Sequence, residues 1–369
     1  MIAPVASAPP ALRELPAGPM AALAQGWQAL QSAAGMKNPF LSWEWQSAWV
    51  AHLPHCCRPV VVAQAFPSGA LAGVLALQRR RRHGLWQLEF LGQGSGADEL
   101  DCLLHPAAPP ETAARLLAIA LRRCRWRLLR LEAADAGGAL ARIWPELFAG
   151  RQRQMESDEW MPTLPLPDSL EQLLSAHSSN FRAEVRRRRR RWASQYPQAQ
   201  LEIASSPEAV GAALPHLFRL HNLRRSQKHG AGIFQSARLR GFHLQAAPAL
   251  AAAGTARIYL LRTPEAVLAA LYGFEAGPAR ERRFLYFQSG FDPACAPLSP
   301  GTVLLAAILE DCMARGVQRF DFLRGEERYK ARWTRERHAS RRLLAGRGWG
   351  GAAWLALRQG AHRLRGLRA

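Results

Sequence analysis

Lysine is nearly missing from this chain of 369 residues: Lys37, Lys228 and Lys330 are the only three. Acidic residues are also scarce, with 28 Asp and Glu against 49 Lys and Arg, so a formal net charge of +21 is carried almost wholly by arginine. Such a bias follows from GC-rich codon preference as readily as from function, and on its own it favours anions of any kind. No uninterrupted apolar run reaches roughly 18 residues, which argues against a transmembrane helix. The segment Met1–Met20 lacks the basic start and continuous apolar stretch of a secretory signal. The six cysteines include the neighbours Cys56 and Cys57 but no C-x-x-C pair, so neither a zinc site nor a disulfide framework is expected. The composition therefore predicts a cytoplasmic protein with reduced cysteines and no metal.

What is present is mostly globular. A proline-containing lead over residues 1–20 gives way to a first domain over 21–160. Ser42 is placed to cap a helix through Trp45, Trp49 and Leu53. Apolar strands are predicted at Pro59–Phe66, Leu71–Gln78 and Leu85–Leu91, with a turn at Pro67-Ser68-Gly69 between the first two. A short strand at Asp98–Leu104, a helix over Glu111–Cys124 and a strand at Trp126–Glu132 complete this half. The polar stretch Arg151–Asp158, followed by Pro162, Pro165 and Pro167, reads as a linker. A second domain over 161–345 opens with helices, the first capped by Asp168 and the next begun at Ser178/Ser179. A strand at Leu201–Ala204 and helices near Ala209–Arg225 and Ala237–Ala252 follow. Strands are then predicted at Arg257–Leu261, Ala266–Phe274 and Phe284–Gln288, a helix over Thr302–Met313 and a strand at Arg319–Leu323. Both halves run strands, helix, strand, as a duplicated fold would. The class is α/β (α+β), each domain a mixed sheet flanked by helices.

Two tracts carry candidate chemistry. In Leu298-Ser-Pro-Gly-Thr302 a strand leads through a loop into a helix, whose unpaired N–H groups can meet an anion; a capped helix start without ligand is the plainer reading. In Arg319-Phe-Asp-Phe-Leu-Arg-Gly325, alternation puts Phe320 and Phe322 on one face and Asp321 on the other, where it needs a partner or a ligand. Arg324-Gly325 is expected to turn the chain into a short helix bearing Tyr329, Lys330 and Trp333. Lys330 stands out because arginine would otherwise be supplied there, although an ion pair of Asp321 with Arg324 or Lys330 accounts for the same residues.

With these residues, the second half resembles the Gcn5-related N-acetyltransferase (GNAT) superfamily, specifically its CelD/BcsL-like group named for cellulose biosynthesis. The resemblance rests on Tyr272-Gly-Phe274, Tyr286-Phe-Gln-Ser-Gly-Phe-Asp292, Leu298-Ser-Pro-Gly301 and Phe320-Asp-Phe-Leu-Arg-Gly325 with Tyr329, Lys330 and Trp333. In the front half, Asn38–Trp45 with Trp49, Phe90-Leu-Gly92 and Asp98–Asp101 extend it to roughly residues 25–345. It implies two GNAT-like domains and transfer of an acetyl or other acyl group from acetyl-CoA, without a metal, to an amine or hydroxyl acceptor, in polysaccharide or cell-envelope biosynthesis. The donor is expected in a cleft between splayed strands of the second domain. Its phosphates would meet Leu298, Ser299, Gly301 and Thr302, with Arg324 alongside, and the strand Leu268–Phe274 would hold the pantetheine arm. Asp321 and Glu275 are the candidate bases, and Tyr329 or Tyr286 would reprotonate the leaving thiolate. The superfamily's usual Arg/Gln-x-x-Gly-x-Gly/Ala loop is replaced by Leu-Ser-Pro-Gly. The paired layout also resembles FemAB-like transferases, which use aminoacyl-tRNA; there Lys330 would bind phosphate or polarise a carbonyl.

Six consecutive arginines, Arg186–Arg191, lie within the predicted helix around Phe181, Val185 and Trp192. On a helix they point all round, so most are expected to be solvated, with an anionic partner (acceptor, tRNA or cofactor phosphates) as the functional reading. The tail over 346–369 is basic and amphipathic. It is expected to pack on the domain, with contact to an anionic membrane surface as the weaker reading. A nucleic-acid-binding protein without enzymatic activity is the alternative from another class; beyond charge, no helix-turn-helix, finger or aromatic RNA-binding signature supports it.

Overall fold

The computed structural model describes residues 12–35, 37–148, 153–226, 232–325 and 327–366. The chain forms two compact units, one of Met1–Met36, Phe40–Asp158 and Ser340–Ala369, the other of Lys37–Pro39 and Glu159–Ala339.

In the first unit, β1 (Arg13–Glu14), α1 (Ala24–Ala33) and α2 (Trp43–Ala51) precede the strands β2 (Cys57–Ala65), β3 (Leu71–Arg82) and β4 (Leu85–Phe90). Ser42 caps α2 by accepting from the Trp45 amide at 3.2 Å, as its sequence position predicts. Strand β5 (Leu103–Leu104) pairs with β3, and α3 (Thr112–Arg123) leads into β6 (Leu128–Ala134) and α4 (Ala139–Leu147). Helix α3 buries Ala113, Leu116, Leu117 and Ala120 and ends in Arg122 and Arg123, where the helix dipole favours cations. Strands β2, β3 and β4 form an antiparallel meander, whereas β6 runs parallel to β4.

The second unit uses the same plan. The chain enters through β7 (Arg153–Pro165), then α5 (Leu170–Ser175), α6 (Ser179–Gln195), β8 (Gln200–Ala204), α7 (Pro207–Ser226) and α8 (Ala237–Ala252). The strands β9 (Ala256–Arg262), β10 (Val267–Ala276) and β11 (Arg283–Phe291) lead to α9 (Pro300–Ala314) and β12 (Arg319–Asp321). The strand order is β7-β12-β11-β10-β9-β8, antiparallel except for the parallel pair β11 and β12. One face of this sheet packs α5, α6 and α9 around Phe284, Phe320, Leu304 and Ile308. On α6, Phe181, Val185 and Trp192 are the buried positions, as the spacing predicts.

Three differences from the sequence reading concern the chain from β7 onward. The stretch expected as a linker is largely strand β7. Its prolines fit because the carbonyl of Pro162 accepts from Phe322, while the neighbouring amides of Thr163 and Leu166 bond Glu336 and Gln318. The cap of α5 is Ser169, which accepts from the Gln172 amide, in place of Asp168. After β12, strand β13 (Arg337–Gly346) pairs antiparallel with β6, and helix α10 (Gly348–Gly366) follows it in the first unit. Among the described residues no helix is long and apolar enough to cross a membrane.

Candidate functional site

Parallel strands β11 and β12 pair only over Arg283–Leu285 and Arg319–Asp321. Beyond that point β11 continues to Phe291, while the chain after Asp321 turns away through positive φ at Leu323 (54°) and Gly325 (120°). The strands therefore splay and leave a cleft of about 170 Å³ between Tyr286–Ser289 and the Phe322–Lys330 segment. The register of β11 on β10 slips between Tyr272 and Gly273. That bulge lets Tyr286 face Phe320, Phe322 and Tyr329 while Phe287 packs on His243 and Phe274.

Helix α7 forms the third wall. A Cβ at Gly290 would lie 2.2 Å from the His221 amide nitrogen and 2.3 Å from the Leu220 carbonyl carbon, so α7 rests backbone to backbone on β11. This contact brings His221, Arg224 and Arg225 to the cleft. Arg224 donates to the Ser289 hydroxyl at 3.2 Å, and that hydroxyl lies 2.6 Å from the Tyr286 phenol oxygen. Burial, with Arg225 and Arg224 adding to it, pushes His221 down to about 4, so its imidazole is neutral at neutral pH. Burial and the adjoining Tyr286 hold the Tyr329 phenol above its ordinary range.

The segment after β12 is organised by Lys330, whose side chain is only 3% exposed. Its ammonium donates to Glu327 at 2.8 Å, to the Arg324 carbonyl at 2.9 Å and to the Gly325 carbonyl at 3.4 Å, which occupies all three of its hydrogens. Burial alone would raise Glu327, but Lys330 outweighs it and holds this carboxyl below its ordinary value. Tyr329, Lys330 and Arg324 thus come together at the cleft.

The two acidic candidates do not join them. Asp321 is buried at the paired end of β12, accepting from the Thr163 hydroxyl at 2.5 Å and from Arg283 at 3.2 Å, so its ion pair is with Arg283 in place of Arg324 or Lys330. Glu275 is bound by Arg257 at 2.6 Å and by Arg315, which also holds Asp311. Leu298–Thr302 stands at the start of α9, with Ser299 in the left-handed region at φ 55°. Few donors remain in that turn: Pro300 has none, and the amides of Ser299, Thr302 and Val303 bond Ala296 and Ser299. Gly301 keeps its N–H, and Arg188 from the arginine run reaches the Thr302 hydroxyl at 2.9 Å. Arg186 and Arg189 pair with Glu171 and Glu310, while Arg187, Arg190 and Arg191 are exposed.

The sequence pattern does not single out His221, and it presents Ser289 only as part of a motif. The available signal was the Ser289-Gly290 pair inside a strand, since a strand glycine marks close approach of another backbone. No group of three or more His, Cys, Asp or Glu placed to hold a metal occurs among the described residues.

The first unit has the same parallel junction, where Gln87 and Leu88 of β4 meet Leu128 and Leu129 of β6. There the opening is filled. The Gln93 side chain accepts from the Glu132 amide at 3.0 Å, and Leu100 bridges to Ala134.

Residues 179–331 match the family model of the acetyltransferase (GNAT) domain. Over these residues the fold is GNAT-type. The crystal structure of FemX aligns with the chain at a TM-score of 0.59 with 11% identity, over 90% of this chain and 96% of that one. L-PGS from Bacillus licheniformis aligns at 0.54 with 11% identity, covering 93% and 96% of the two chains. The C-terminal domain of a putative lysylphosphatidylglycerol synthetase from Agrobacterium fabrum aligns at 0.53 with 11% identity, over 89% and 94%. No curated protein matches the sequence. In this GNAT-type frame the cleft lies at the splay of the second unit, the counterpart of which is filled in the first.

Proposed function

We propose that the second unit transfers an acyl group from an acyl-CoA, acetyl-CoA in the simplest case, to an amine or hydroxyl acceptor. The observation that carries this reading is the hydroxyl chain from Arg224 through Ser289 to Tyr286, placed where β11 and β12 part. Guanidinium only donates, so Ser289 accepts from Arg224; with Ser289 donating in turn to Tyr286, the phenol hydrogen is left for the cleft. A donor aimed there supports the oxygen that gains charge as the acceptor attacks the thioester carbonyl, and Tyr329 beside it is placed to return a proton to the departing sulfur. His221, neutral and bordering the cleft, is placed to hydrogen-bond the acceptor, whose proton leaves through water. Lys330 sets the loop that carries Tyr329. The donor phosphates are assigned to Gly301, Thr302 and Arg188. The resemblance to the CelD/BcsL-like group supports an acceptor from polysaccharide or cell-envelope biosynthesis, and the cysteine usage supports a cytoplasmic location.

One observation favours a second reading. The α9 turn offers few free amides, whereas Arg224, Arg225 and Arg324 gather at the cleft itself, as an aminoacyl-tRNA donor of the FemAB kind would use. Thermal-shift titration separates the two. Stabilisation by CoA and acetyl-CoA that Gly301→Glu abolishes supports the first reading. Salt-sensitive binding of aminoacyl-tRNA with no response to CoA overturns it in favour of the second.

A further inference from the structure

Helix α10 is seated by two glycines. A Cβ at Gly351 would lie 2.3 Å from the Arg127 carbonyl oxygen and 2.8 Å from the Gly346 Cα, and Leu355 packs on Leu128 and Leu344. Those contacts fix the inner face and leave an outer one that no described residue covers. Over residues 348–357 the sequence is Gly-Trp-Gly-Gly-Ala-Ala-Trp-Leu-Ala-Leu, without a polar side chain. At about 100° per residue, Trp349, Ala353, Ala356 and Leu357 share one arc, and all four are exposed. Trp349 is 95% exposed and Leu357 76% exposed.

Arginines from three separate segments meet at the same end of the helix. Gly350 lies against Leu85, whose hairpin carries Arg81 and Arg82; Arg127 reaches Gly348; and Arg347 bonds through its amide to the Arg127 carbonyl at 2.9 Å. With Arg125 these make five exposed arginines, none with an acidic partner among the described residues. A second copy of the chain would bring such a cluster against its like. A nucleic acid would answer the charge but leave the apolar face in water. A surface that is apolar within and anionic at its rim satisfies both.

We infer that the N-terminal half of α10 docks this protein on an anionic lipid surface. Trp349 and Leu357 enter the boundary between headgroups and acyl chains, and Arg81, Arg82, Arg125, Arg127 and Arg347 face the lipid phosphates. Each arginine near such a surface contributes about fivefold in affinity, a part that salt screens. This inference is independent of the acyl donor.

Co-sedimentation of the full chain with vesicles tests it. The chain pellets with phosphatidylcholine vesicles that contain phosphatidylglycerol and much less with phosphatidylcholine alone. The double variant W349S/L357S, altered only at exposed positions, weakens binding about tenfold or more. R81A/R82A weakens it and flattens its salt dependence. Unchanged pelleting of W349S/L357S, or equal binding to neutral vesicles, overturns the inference. So does binding of duplex DNA or tRNA that R81A/R82A abolishes and W349S/L357S leaves intact, or a dimer that W349S/L357S dissociates.

Discussion

Acidification is expected to destabilise the second unit through two histidines that its interior keeps neutral. His221 is 3% exposed and held at about 4; His243, fully buried among Phe234, Phe242, Tyr272 and Phe287, is held at about 3 by burial alone. In the unfolded chain both titrate near 6.5, so below that pH the unfolded state binds protons that the native state refuses. The stabilisation is therefore complete above about pH 6.5 and is lost as the pH falls toward 4 and 3. Between about pH 7.5 and pH 5, each histidine accounts for a loss of about 2 kcal/mol. Glu327 and Glu184, both held below their ordinary values by basic neighbours, add to the loss at lower pH. Asp101 of the first unit works the other way, because burial raises it to about 6. Urea unfolding at the two pH values, followed by a probe confined to the second unit, measures the effect. H221Q and H243F should each remove about half of the pH-dependent difference, whatever they do to stability at neutral pH. Variants that retain the wild-type pH dependence would refute the argument.

Other changes are expected to be local and separable. Gly290→Ala must push α7 off β11, since the added methyl would meet the α7 backbone at Leu220 and His221; a loss of about 3 kcal/mol or more in urea unfolding is expected, together with loss of cleft ligand binding. Ser289→Ala and Arg224→Gln interrupt the hydroxyl chain and should lower kcat about tenfold or more with little change in KM, whereas Ser289→Thr restores most of it. Lys330→Ala leaves two carbonyls and Glu327 without their donor and should destabilise the unit by about 2 kcal/mol, with faster proteolysis within the 324–330 segment. Lys330→Arg is not expected to rescue it, because a planar fork cannot serve three partners grouped around one point.

Much of the second unit is written in local pattern. Helix α8 runs over the predicted residues, and β9, β10 and β11 differ from expectation by one to three residues at their ends, because alternation and apolar spacing dominate there. Strand β7 escaped because its prolines read as breakers, when their carbonyls and the intervening amides still carry the ladder. The cleft was half legible. Tyr286, Tyr329, Lys330 and Arg324 lie close in sequence to the splay and were picked out by residue type. His221 and Arg224 come from a helix more than sixty residues upstream, joined to the strand by the backbone contact at Gly290 and the Arg224–Ser289 hydrogen bond. Asp321 and Glu275 show the reverse: the pattern says that Asp321 needs a partner but not which, and the partners of the two, Arg283 for Asp321 and Arg257 with Arg315 for Glu275, sit on neighbouring strands and at a helix end.

The contact at Gly290 also determines which wall of the cleft can yield. Where side chains separate two elements, rotamer changes let them drift apart or close up by fractions of an ångström. Backbone resting on backbone has no such cushion, so α7 and β11 behave as one fixed jaw. The opposite wall is a short 3₁₀ turn at Lys330–Arg332 and an irregular segment tied together by a single ammonium group. Any difference in size between one acyl group and another must then be taken up on that side. Exchanges within residues 322–330, rather than in α7, are where a change of substrate range is to be sought.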